Sequence, residues 1–416
     1  MRSESSSLIL CVDKPINIFK KMYNYIIVGG GIVGLSTAMA LSKRFPDAKI
    51  ALLEKEASWA AHQTGHNSGI IHSGIYYKPG SYKAKLCRNG NQSMVAFCQK
   101  NNIDYKICGK VIVATEEHEL PLLDNLYKRG LENNLEISKI NSEQVKEIEP
   151  HVSCLAGIKV KSTGIVNYKQ VCQKYAEIAV EQGVDLHLNT CVTGIKFMSG
   201  DYVIETNTKE YKTEFLINCG GLYSDRLTEL TKSKAPAKIV PFRGEYYQLT
   251  PEKNYLVNGA IYPVPNPNFP FLGVHFHPGI DGSVHAGPNA VLGFKREAYK
   301  KFDFDLKEFM ETMTYPGFWK LASKYPKDGI AEMIRSYSKA IFVRSLQRLI
   351  PEVEAKDIMP TPAGVRAQAL KIDGSMVDDF LIVNGNKALH VCNAPSPAAT
   401  ASIEIGKYIV SQVPDK

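Results

Sequence analysis

The hydrophobic positions of this chain fall into short β-branched runs separated by helix-like stretches, and the clearest pair stands near the beginning. The apolar run Tyr25–Val28 passes into glycines and then into a helix-like stretch from Leu35 to Leu41. A second apolar run, Lys49–Leu53, ends at Glu54. This order of strand, glycine-rich turn, helix, strand and acidic residue predicts a βαβ unit that binds a dinucleotide.

Each glycine of the turn has its own role in that prediction. Gly29 permits the tight turn, Gly31 lets the backbone approach a pyrophosphate, and Gly34 lets the helix pack closely against the strand. Glu54 is expected to accept hydrogen bonds from a ribose, which favours a 2′-hydroxyl over a 2′-phosphate. The motif alone is compatible with NAD, with FAD, or with a plain βαβ unit whose glutamate lies at the surface.

Further along the chain, helix-like and strand-like patterns continue to alternate. The periodicity predicts helices at about 82–99, 118–133, 169–182, 305–323 and up to about 410, and strands at 111–114, 184–188, 215–219, 245–249, 271–277 and 388–392. A polar, glycine-rich segment at 63–77 has the composition of a loop that wraps a ligand. The strand at 215–219 ends in Gly220-Gly221, and the last strand ends in Asn393-Ala-Pro-Ser-Pro397, so each brings backbone close to a ligand.

The length of the chain indicates two domains, because 416 residues with 44% hydrophobic content exceed the usual size of a single core. We predict an α/β fold in which a Rossmann-like cofactor-binding domain has a discontinuous chain path over 22–105, 155–235 and 355–416. A β-rich substrate domain of α+β type takes 106–154 and 236–354. Residues 1–21 are predicted to be a poorly ordered extension, with Met22 as the functional start, and a transit peptide is the alternative.

Charge and cysteine content limit the function classes. The formal net charge is +8, from 50 basic and 42 acidic residues, and it is spread along the chain. This excludes a nucleic-acid-binding stripe but suits anionic substrates or peripheral contact with an anionic membrane surface. No apolar run is long enough to span a bilayer. The nine cysteines form no C-x-x-C pair, so we expect reduced thiols, no bound metal or iron–sulfur cluster, and a cytosolic or matrix-like compartment.

Three of these features together resemble the FAD-dependent D-amino-acid-oxidase superfamily over about residues 22–412. They are the glycine turn with Glu54, the loop around 65–74, and the segment from Asn393 to Pro397 before the last helix. Within this range the chain is similar to the L-2-hydroxyglutarate oxidase/dehydrogenase family in seven ordered runs, at 62–72, 241–246, 281–284, 287–290, 294–297, 362–366 and 393–399.

The resemblance implies FAD as the cofactor and oxidation of L-2-hydroxyglutarate to 2-oxoglutarate, with a hydride passing to flavin N5. It implies a quinone-type acceptor or dioxygen for the electrons. From the cysteines and the charge we expect a cytoplasmic protein in peripheral contact with the inner membrane, and a mitochondrial location is the alternative. The alternative is a related oxidase of an amino acid of the glycine or sarcosine type, or of glycerol 3-phosphate. A flavin-bound module without turnover, such as an RNA-modification partner, is the alternative from another class.

The segments that match the superfamily also imply which residues bind the cofactor. The predicted FAD-binding residues are Gly29, Gly31, Gly34, Glu54, Lys55, Thr64, Ser68, Gly69, Val192, Gly220, Gly221, Ala394, Ser396, Pro397 and Ala398.

Oxidation of a secondary alcohol also needs a base for the hydroxyl proton and cations for the carboxylates. His72, in the predicted flavin-side loop, is the first candidate for the base, and His275 is the second. A structural histidine contacting FAD is the alternative for His72. Arg366 resembles the superfamily position that binds the α-carboxylate, as a guanidinium does bidentately. Arg243 is a candidate for the distal carboxylate, although an ion pair with the nearby Glu245 is equally compatible with its position.

Three further groups have competing interpretations. Tyr246 and Tyr262 are candidate hydrogen-bond donors to the substrate, or half-buried packing residues of strands. A metal site from the histidines at 62, 66 and 72 is disfavoured, because glycines at 65, 69 and 74 break any common helix. Lys295 and Arg296 are expected to form a solvated face.

Overall fold

The computed structural model of the protein describes residues 22–267 and 272–415. The predicted extension over 1–21, with the transit-peptide alternative, lies outside the described residues. The strands are β1 (Met22–Val28), β2 (Ile50–Leu53), β3 (Ile70–Ile71), β4 (Tyr105–Lys106), β5 (Lys110–Ala114), β6 (Ile137–Asn141), β7 (Ala156–Val160), β8 (Gly164–Val166), β9 (Asp185–His187), β10 (Val192–Met198), β11 (Asp201–Thr206), β12 (Glu210–Asn218), β13 (Lys238–Leu249), β14 (Ala260–Pro263), β15 (His275–Pro278), β16 (Val284–Gly287), β17 (Val291–Leu292), β18 (Ile358–Leu370), β19 (Leu381–Gly385) and β20 (Ala388–Asn393).

The predicted helices are present, except that one of them is interrupted. The helices are α1 (Ile32–Arg44), α2 (Tyr82–Lys100), α3 (Leu120–Glu132), α4 (Ser142–Ile148), α5 (Tyr168–Glu181), α6 (Ser224–Leu230), α7 (Leu306–Met313), α8 (Pro316–Lys324), α9 (Pro326–Tyr337), α10 (Lys339–Gln347) and α11 (Ser402–Ser411). Four of them, α4, α6, α9 and α10, were not predicted. The prediction of a single helix at 305–323 is wrong, because the structure has two helices there, α7 and α8, with an interruption between them. Pro316 begins α8 at a position where its missing N–H costs no helical hydrogen bond.

The first sheet has eight strands in the order β10-β11-β12-β1-β2-β9, with β20 paired to β12 and β19 paired to β20. Its centre is parallel, since β1 pairs in parallel with both β2 and β12. The four residues of β2 are all buried, which explains why an uninterrupted apolar run marks this strand. Helices α1, α5 and α11 pack on this sheet through a core that includes Leu35, Tyr175 and Ile405.

The second sheet has nine strands in the order β17-β13-β16-β15-β14-β5-β7-β6, with β18 paired to β13. Both β7 and β18 lie in segments predicted for the cofactor-binding domain, yet hydrogen bonding places them in this sheet. The chain therefore crosses between the two sheets inside the predicted boundaries, and the division into domains stays a prediction. The mixed α/β fold class is confirmed, and the first sheet draws its strands from the beginning, middle and end of the chain.

Two further expectations concern the cysteines and the length of the apolar helices. The eight cysteines among the described residues are all free. None of the helices that the structure describes is long and apolar enough to cross a bilayer.

Candidate functional site

A cavity of about 1200 Å³ lies between the two sheets, with walls from both. Its volume exceeds the ~300–1000 Å³ typical of sites for a single drug-sized ligand. At one end it is lined by the glycine turn after β1 and by the segment before α11, and at the other by side chains of β13, β14, β15 and β18. A dinucleotide and a small substrate therefore fit into one continuous space.

The glycine turn has the geometry of a phosphate-binding helix N-terminus. Gly29 has a φ of +110°, and a Cβ there would lie 2.4 Å from the carbonyl oxygen of Cys219. A Cβ at Gly34 would lie 1.9 Å from the carbonyl oxygen of Gly29, so this glycine permits close packing of α1 and does not line the cavity. A Cβ at Gly31 would meet only Thr64 Oγ1, at 3.4 Å. The start of α1 is thus open to an anion at Gly31.

Glu54 lines the cavity at the end of β2 and is held by the backbone around it. Its carboxylate accepts hydrogen bonds from the N–H of Gly30 at 2.6 Å and from the N–H of Glu56 at 2.9 Å. These bonds fix the carboxylate beside the turn, and a carboxylate has further lone pairs for a ribose hydroxyl.

Most other residues predicted to bind the cofactor also line the cavity. They are Gly31, Lys55, Thr64, Ser68, Val192, Gly220, Gly221, Ala394, Ser396, Pro397 and Ala398. Gly69 does not line it. Its φ is +67°, and a Cβ would lie 2.9 Å from the carbonyl oxygen of Val166, so this glycine shapes the backbone of the loop.

Lys55 belongs to a cluster of charged side chains at the rim. Its ammonium lies 2.7 Å from Glu297 and also pairs with Glu56, while His62 Nε2 lies 2.8 Å from the Glu56 carboxylate. Ligand atoms of Glu56, His62 and Glu297 lie within 4.8 Å of one another, a spacing that a metal ion could use. The ammonium of Lys55 pairs with both carboxylates and offsets one of their two negative charges.

One face of the second sheet forms the other end of the cavity. On β14, Tyr262 lies beside Ile112 of β5, and the antiparallel register of β14 and β15 places His275 next to Tyr262. The two rings stack with centroids 3.9 Å apart. Residues at the intervening positions, Ile261 and Phe276, point to the opposite face and join an apolar cluster.

Arg366 lies at this end, on β18, and is half-buried in the cavity wall. Its guanidinium interacts electrostatically with the phenols of Tyr246 and Tyr262. Burial lowers the pKa of Arg366 and raises the pKa of both tyrosines, so a cation and two neutral donors face the same space. This set is suited to a carboxylate.

The two candidate bases, His72 and His275, both line this space and are both neutral. Burial, reinforced by the charge of Lys110, lowers the pKa of His72 to about 3, and burial lowers that of His275 to about 3. His72 Nε2 lies 3.4 Å from Ser396 Oγ. His275 Nδ1 lies 3.0 Å from the carbonyl oxygen of Gly273, which assigns the proton to Nδ1 and leaves Nε2 as an acceptor.

The structure selects one of the two interpretations of Arg243 and contradicts the expectation for Arg296. Arg243 does not line the cavity, because its guanidinium pairs with Glu245 at 3.0 Å and donates to the carbonyl oxygens of Lys300 and Lys301. Arg243 therefore forms the ion pair with Glu245, which was one of its two interpretations. Arg296, expected in a solvated face, is only 3% exposed, because its guanidinium pairs with Asp225.

Sequence reasoning missed Lys110, which is buried against the rings of Tyr76 and Tyr262. The signal was available in the sequence, since a lysine directly precedes the apolar run Val111–Ala114. At the end of a strand, however, a lysine is usually solvated.

The dinucleotide turn, the two-sheet cavity and the half-buried Arg366 are compatible with a flavin-binding oxidoreductase, and comparison with known proteins identifies this class. The family model described as FAD dependent oxidoreductase, DAO, matches residues 24–412. The chain belongs to this family, and its cofactor is FAD.

Among curated proteins, the chain is similar to the L-2-hydroxyglutarate dehydrogenase of Indibacter alkaliphilus, with 49% identity over 92% of this chain and 97% of the relative. It is 47% identical to the mitochondrial L-2-hydroxyglutarate dehydrogenase of Homo sapiens, over 94% of this chain and 88% of that protein. The fold is similar to that of L-α-glycerophosphate oxidase from Mycoplasma pneumoniae with FAD bound, with a TM-score of 0.78 and 24% identity over 95% of this chain and 96% of that one. The predicted resemblance is confirmed.

Proposed function

We propose that this protein oxidises L-2-hydroxyglutarate to 2-oxoglutarate with FAD as the cofactor. The names of relatives at 45–49% identity support this substrate. The observation that carries the proposal is the cavity itself, which joins the dinucleotide turn to a half-buried guanidinium flanked by two phenols and two neutral histidines. A 2-hydroxy acid needs this combination of carboxylate binding and proton acceptance.

The cofactor is held, in this proposal, by the cavity-lining residues of the first sheet and of the segment before α11. Gly31 and the start of α1 receive the pyrophosphate, and Glu54 accepts bonds from a ribose. Bound FAD supplies the hydride acceptor, N5 of its flavin ring.

Arg366 binds the α-carboxylate and thereby orients the carbon that loses the hydride. A planar guanidinium fixes a carboxylate through two parallel bonds, and burial of Arg366 strengthens them. Tyr246 and Tyr262 donate hydroxyl hydrogen bonds in the same region.

The proton of the substrate hydroxyl passes to one of two histidines, His72 or His275. Both are neutral at physiological pH and therefore able to accept it. Arrival of an anionic substrate raises the proton affinity of either ring, which offsets the effect of burial. The tautomer of His275 supports its Nε2 as an acceptor.

A quinone is our proposed electron acceptor, through peripheral contact with an anionic membrane, and dioxygen is the alternative. Helices α7 to α9 expose Leu306, Met310, Trp319, Ile330 and Ile334 beside several lysines. Lys324, at the end of α8, lines the cavity. This combination of apolar and basic groups supports binding to an anionic membrane surface.

Vesicles that contain anionic lipid and ubiquinone test this contact. We expect co-sedimentation that weakens with Trp319→Glu but not with Phe197→Glu, a matched change of an exposed aromatic residue on β10. Equal loss for both variants, or none, contradicts the membrane contact. Faster turnover with dioxygen than with quinone favours the alternative acceptor.

Two locations agree with the relatives, a cytoplasmic one in contact with the inner membrane and a mitochondrial one. The human relative is named as mitochondrial, whereas the Escherichia coli relative carries no such word. Fractionation of the source cells distinguishes them.

A substrate panel with a dye acceptor tests the reaction. We expect turnover with L-2-hydroxyglutarate and none with D-2-hydroxyglutarate, sarcosine, glycine or glycerol 3-phosphate. Turnover confined to an amine or to glycerol 3-phosphate would replace our proposal with the related oxidases considered from the sequence.

A further inference from the structure

Lys110 is a buried lysine with no ion-pair partner among residues 22–267 and 272–415. It is 4% exposed, at the first position of β5, on the same face of the second sheet as Tyr262. Its ammonium lies 4.5 Å from the ring centroid of Tyr76 and 4.9 Å from that of Tyr262. Among the residues that the structure describes, no carboxylate forms an ion pair with it. Two aromatic rings offset only part of the cost of removing an ammonium from water.

The hydroxyl of Tyr76 is a second polar group at the same place that lacks a partner among the described residues. It is buried and has no hydrogen-bond partner within 22–267 and 272–415. The rings of Tyr76 and Tyr262 have centroids 6.2 Å apart, and both residues line the cavity. Buried hydroxyls without a partner are rare and need an explanation. We call Tyr76, Lys110 and Tyr262 the Lys110 corner. In it, an ammonium and a phenol are hydrogen-bond donors for which the described residues supply no acceptor.

The Lys110 corner adjoins the region of Arg366. The ammonium of Lys110 lies over the ring of Tyr262, and the guanidinium of Arg366 acts on the phenol of the same residue. Lys110 does not itself line the cavity, but it lies directly behind the cavity-lining rings of Tyr76 and Tyr262. Its charge adds to burial in lowering the pKa of the cavity-lining His72. Two cations therefore act on one tyrosine of the cavity wall. Arg243, the other candidate for a second carboxylate, is already paired with Glu245.

We propose that Lys110 and Tyr76 bind the distal carboxylate of the substrate, while Arg366 binds the α-carboxylate. This inference rests on the proposed function, because only a dicarboxylate needs two cationic positions. A buried charge without a partner is costly, whether it is a cation of the protein or a carboxylate of the ligand. A site with two cations therefore selects for a ligand with two carboxylates. Burial lowers the pKa of Lys110 to about 7, and a bound carboxylate favours the charged ammonium.

Two probes that cannot be oxidised isolate the distal carboxylate. Glutarate and pentanoate have the same carbon chain, but pentanoate lacks the second carboxylate. Their dissociation constants are measured on the FAD-loaded protein from the perturbation of flavin absorbance. We expect the native protein to bind glutarate tighter than pentanoate by roughly 30-fold or more, as loss of one partner of a buried charge pair requires.

Lys110→Met keeps the length of the side chain and removes its charge. We expect it to abolish most of the preference for glutarate and to leave pentanoate binding nearly unchanged. The matched control is Lys159→Met, on the adjacent β7, where the lysine is only partly buried and pairs in register with Val111 on the other face of the sheet. Equal weakening of both probes by Lys110→Met overturns the proposal, because Lys110 would then act only through the overall charge of the cavity. An unchanged preference overturns it as well.

Tyr76→Phe provides the same test if Lys110→Met fails to retain FAD. Loss of one hydrogen bond to a carboxylate reduces the preference for glutarate by roughly tenfold or more, and an unchanged ratio contradicts the proposal. The proposed function is tested separately, by reduction of FAD in the native protein with L-2-hydroxyglutarate. Failure of that reduction with the glutarate preference intact rejects the reaction and retains the carboxylate-binding corner. Success of the reduction with no effect of either variant rejects the corner alone.

Discussion

Arg366 is the residue on which substrate orientation depends in our account. It is half-buried beside two phenols in the cavity wall, so a substrate carboxylate that reaches it exchanges water for a charged pair. The energetic effect of losing such a partner is large, because the substrate carboxylate is then buried without compensation.

Arg366→Met is expected to lower kcat/KM for L-2-hydroxyglutarate by roughly 30- to 5000-fold, with FAD still bound. FAD is retained because none of the residues of the glycine turn is altered. Steady-state kinetics and the visible flavin spectrum measure both quantities. Arg344→Met, at an exposed position of α10, is the control, and near-normal kinetics for the Arg366 variant would remove it from the site.

Replacement of the two candidate bases distinguishes between them. Replacing the histidine that accepts the hydroxyl proton with asparagine should slow flavin reduction by roughly 10²- to 10⁴-fold. Replacing the other histidine should have a much smaller effect. Anaerobic stopped-flow reduction of His72→Asn and His275→Asn measures this, with the exposed His118→Asn as the control. Normal rates in both variants would exclude a histidine base.

Where a motif specified the residue type, the structure brings the predicted residues together, and their roles stay predictions. Arg366 and both histidines lie at one cavity, as their chemistry required. Arg243 has an acidic neighbour two positions away, and only the fold decides between this local ion pair and a distant ligand. Lys110 was missed, because burial at the start of β5 depends on β14 and on the Tyr76 loop, which are distant in sequence.

At the scale of elements, the β1 to α1 connection determines both packing and cofactor binding. Gly34 permits contact between α1 and the turn, whereas a Cβ at Gly31 would meet only Thr64 Oγ1, at 3.4 Å, and its φ of −77° is an ordinary one. The two glycines therefore act on different properties of the molecule.

Substitution by alanine separates these properties. Gly34→Ala should lower the free energy of unfolding by about 2 kcal/mol or more, because its Cβ would lie 1.9 Å from the Gly29 carbonyl oxygen. Gly31→Ala should leave the apoprotein as stable as the native one and weaken FAD binding. Thermal unfolding of the apoprotein and fluorescence titration with FAD measure these effects, and an equal loss of stability in both variants would contradict this assignment.

Elements were predictable where local pattern and tertiary environment agree. The apolar run of β1 and the periodicity of α2 and α5 reappear within a few residues of their predicted bounds. The break between α7 and α8 was missed, because both segments are amphipathic and only Pro316 marks the interruption. Sheet membership of β7 and β18 depends on long-range pairing, which periodicity does not encode.

At the scale of the whole molecule, burial of neutral histidines couples stability to pH. The pKa of His72 and of His275 is about 3, and that of the buried His277 is also lowered, with burial as the main cause in each case. The unfolded chain binds protons near the ordinary pKa of about 6.5. Below that pH the unfolded state takes up protons that the folded state does not, so stability falls as the pH drops from about 6.5 towards 3.

His277→Asn tests this coupling at a position outside the cavity lining. The variant should lose less stability than the native holoprotein between pH 7 and pH 5. It lacks one histidine that takes up a proton in the unfolded state but stays neutral in the folded state. Melting temperatures across this range measure the difference. Parallel curves for the two proteins would show that His277 titrates alike in the folded and unfolded states.

Stoichiometric reduction of the flavin shows whether this protein oxidises L-2-hydroxyglutarate. The FAD-loaded protein is mixed anaerobically with L-2-hydroxyglutarate, and flavin absorbance and 2-oxoglutarate are followed together. We predict complete bleaching with one 2-oxoglutarate formed per flavin, and no bleaching with the D-enantiomer. A flavin that stays oxidised with the L-enantiomer, in a protein that holds FAD, would contradict the account.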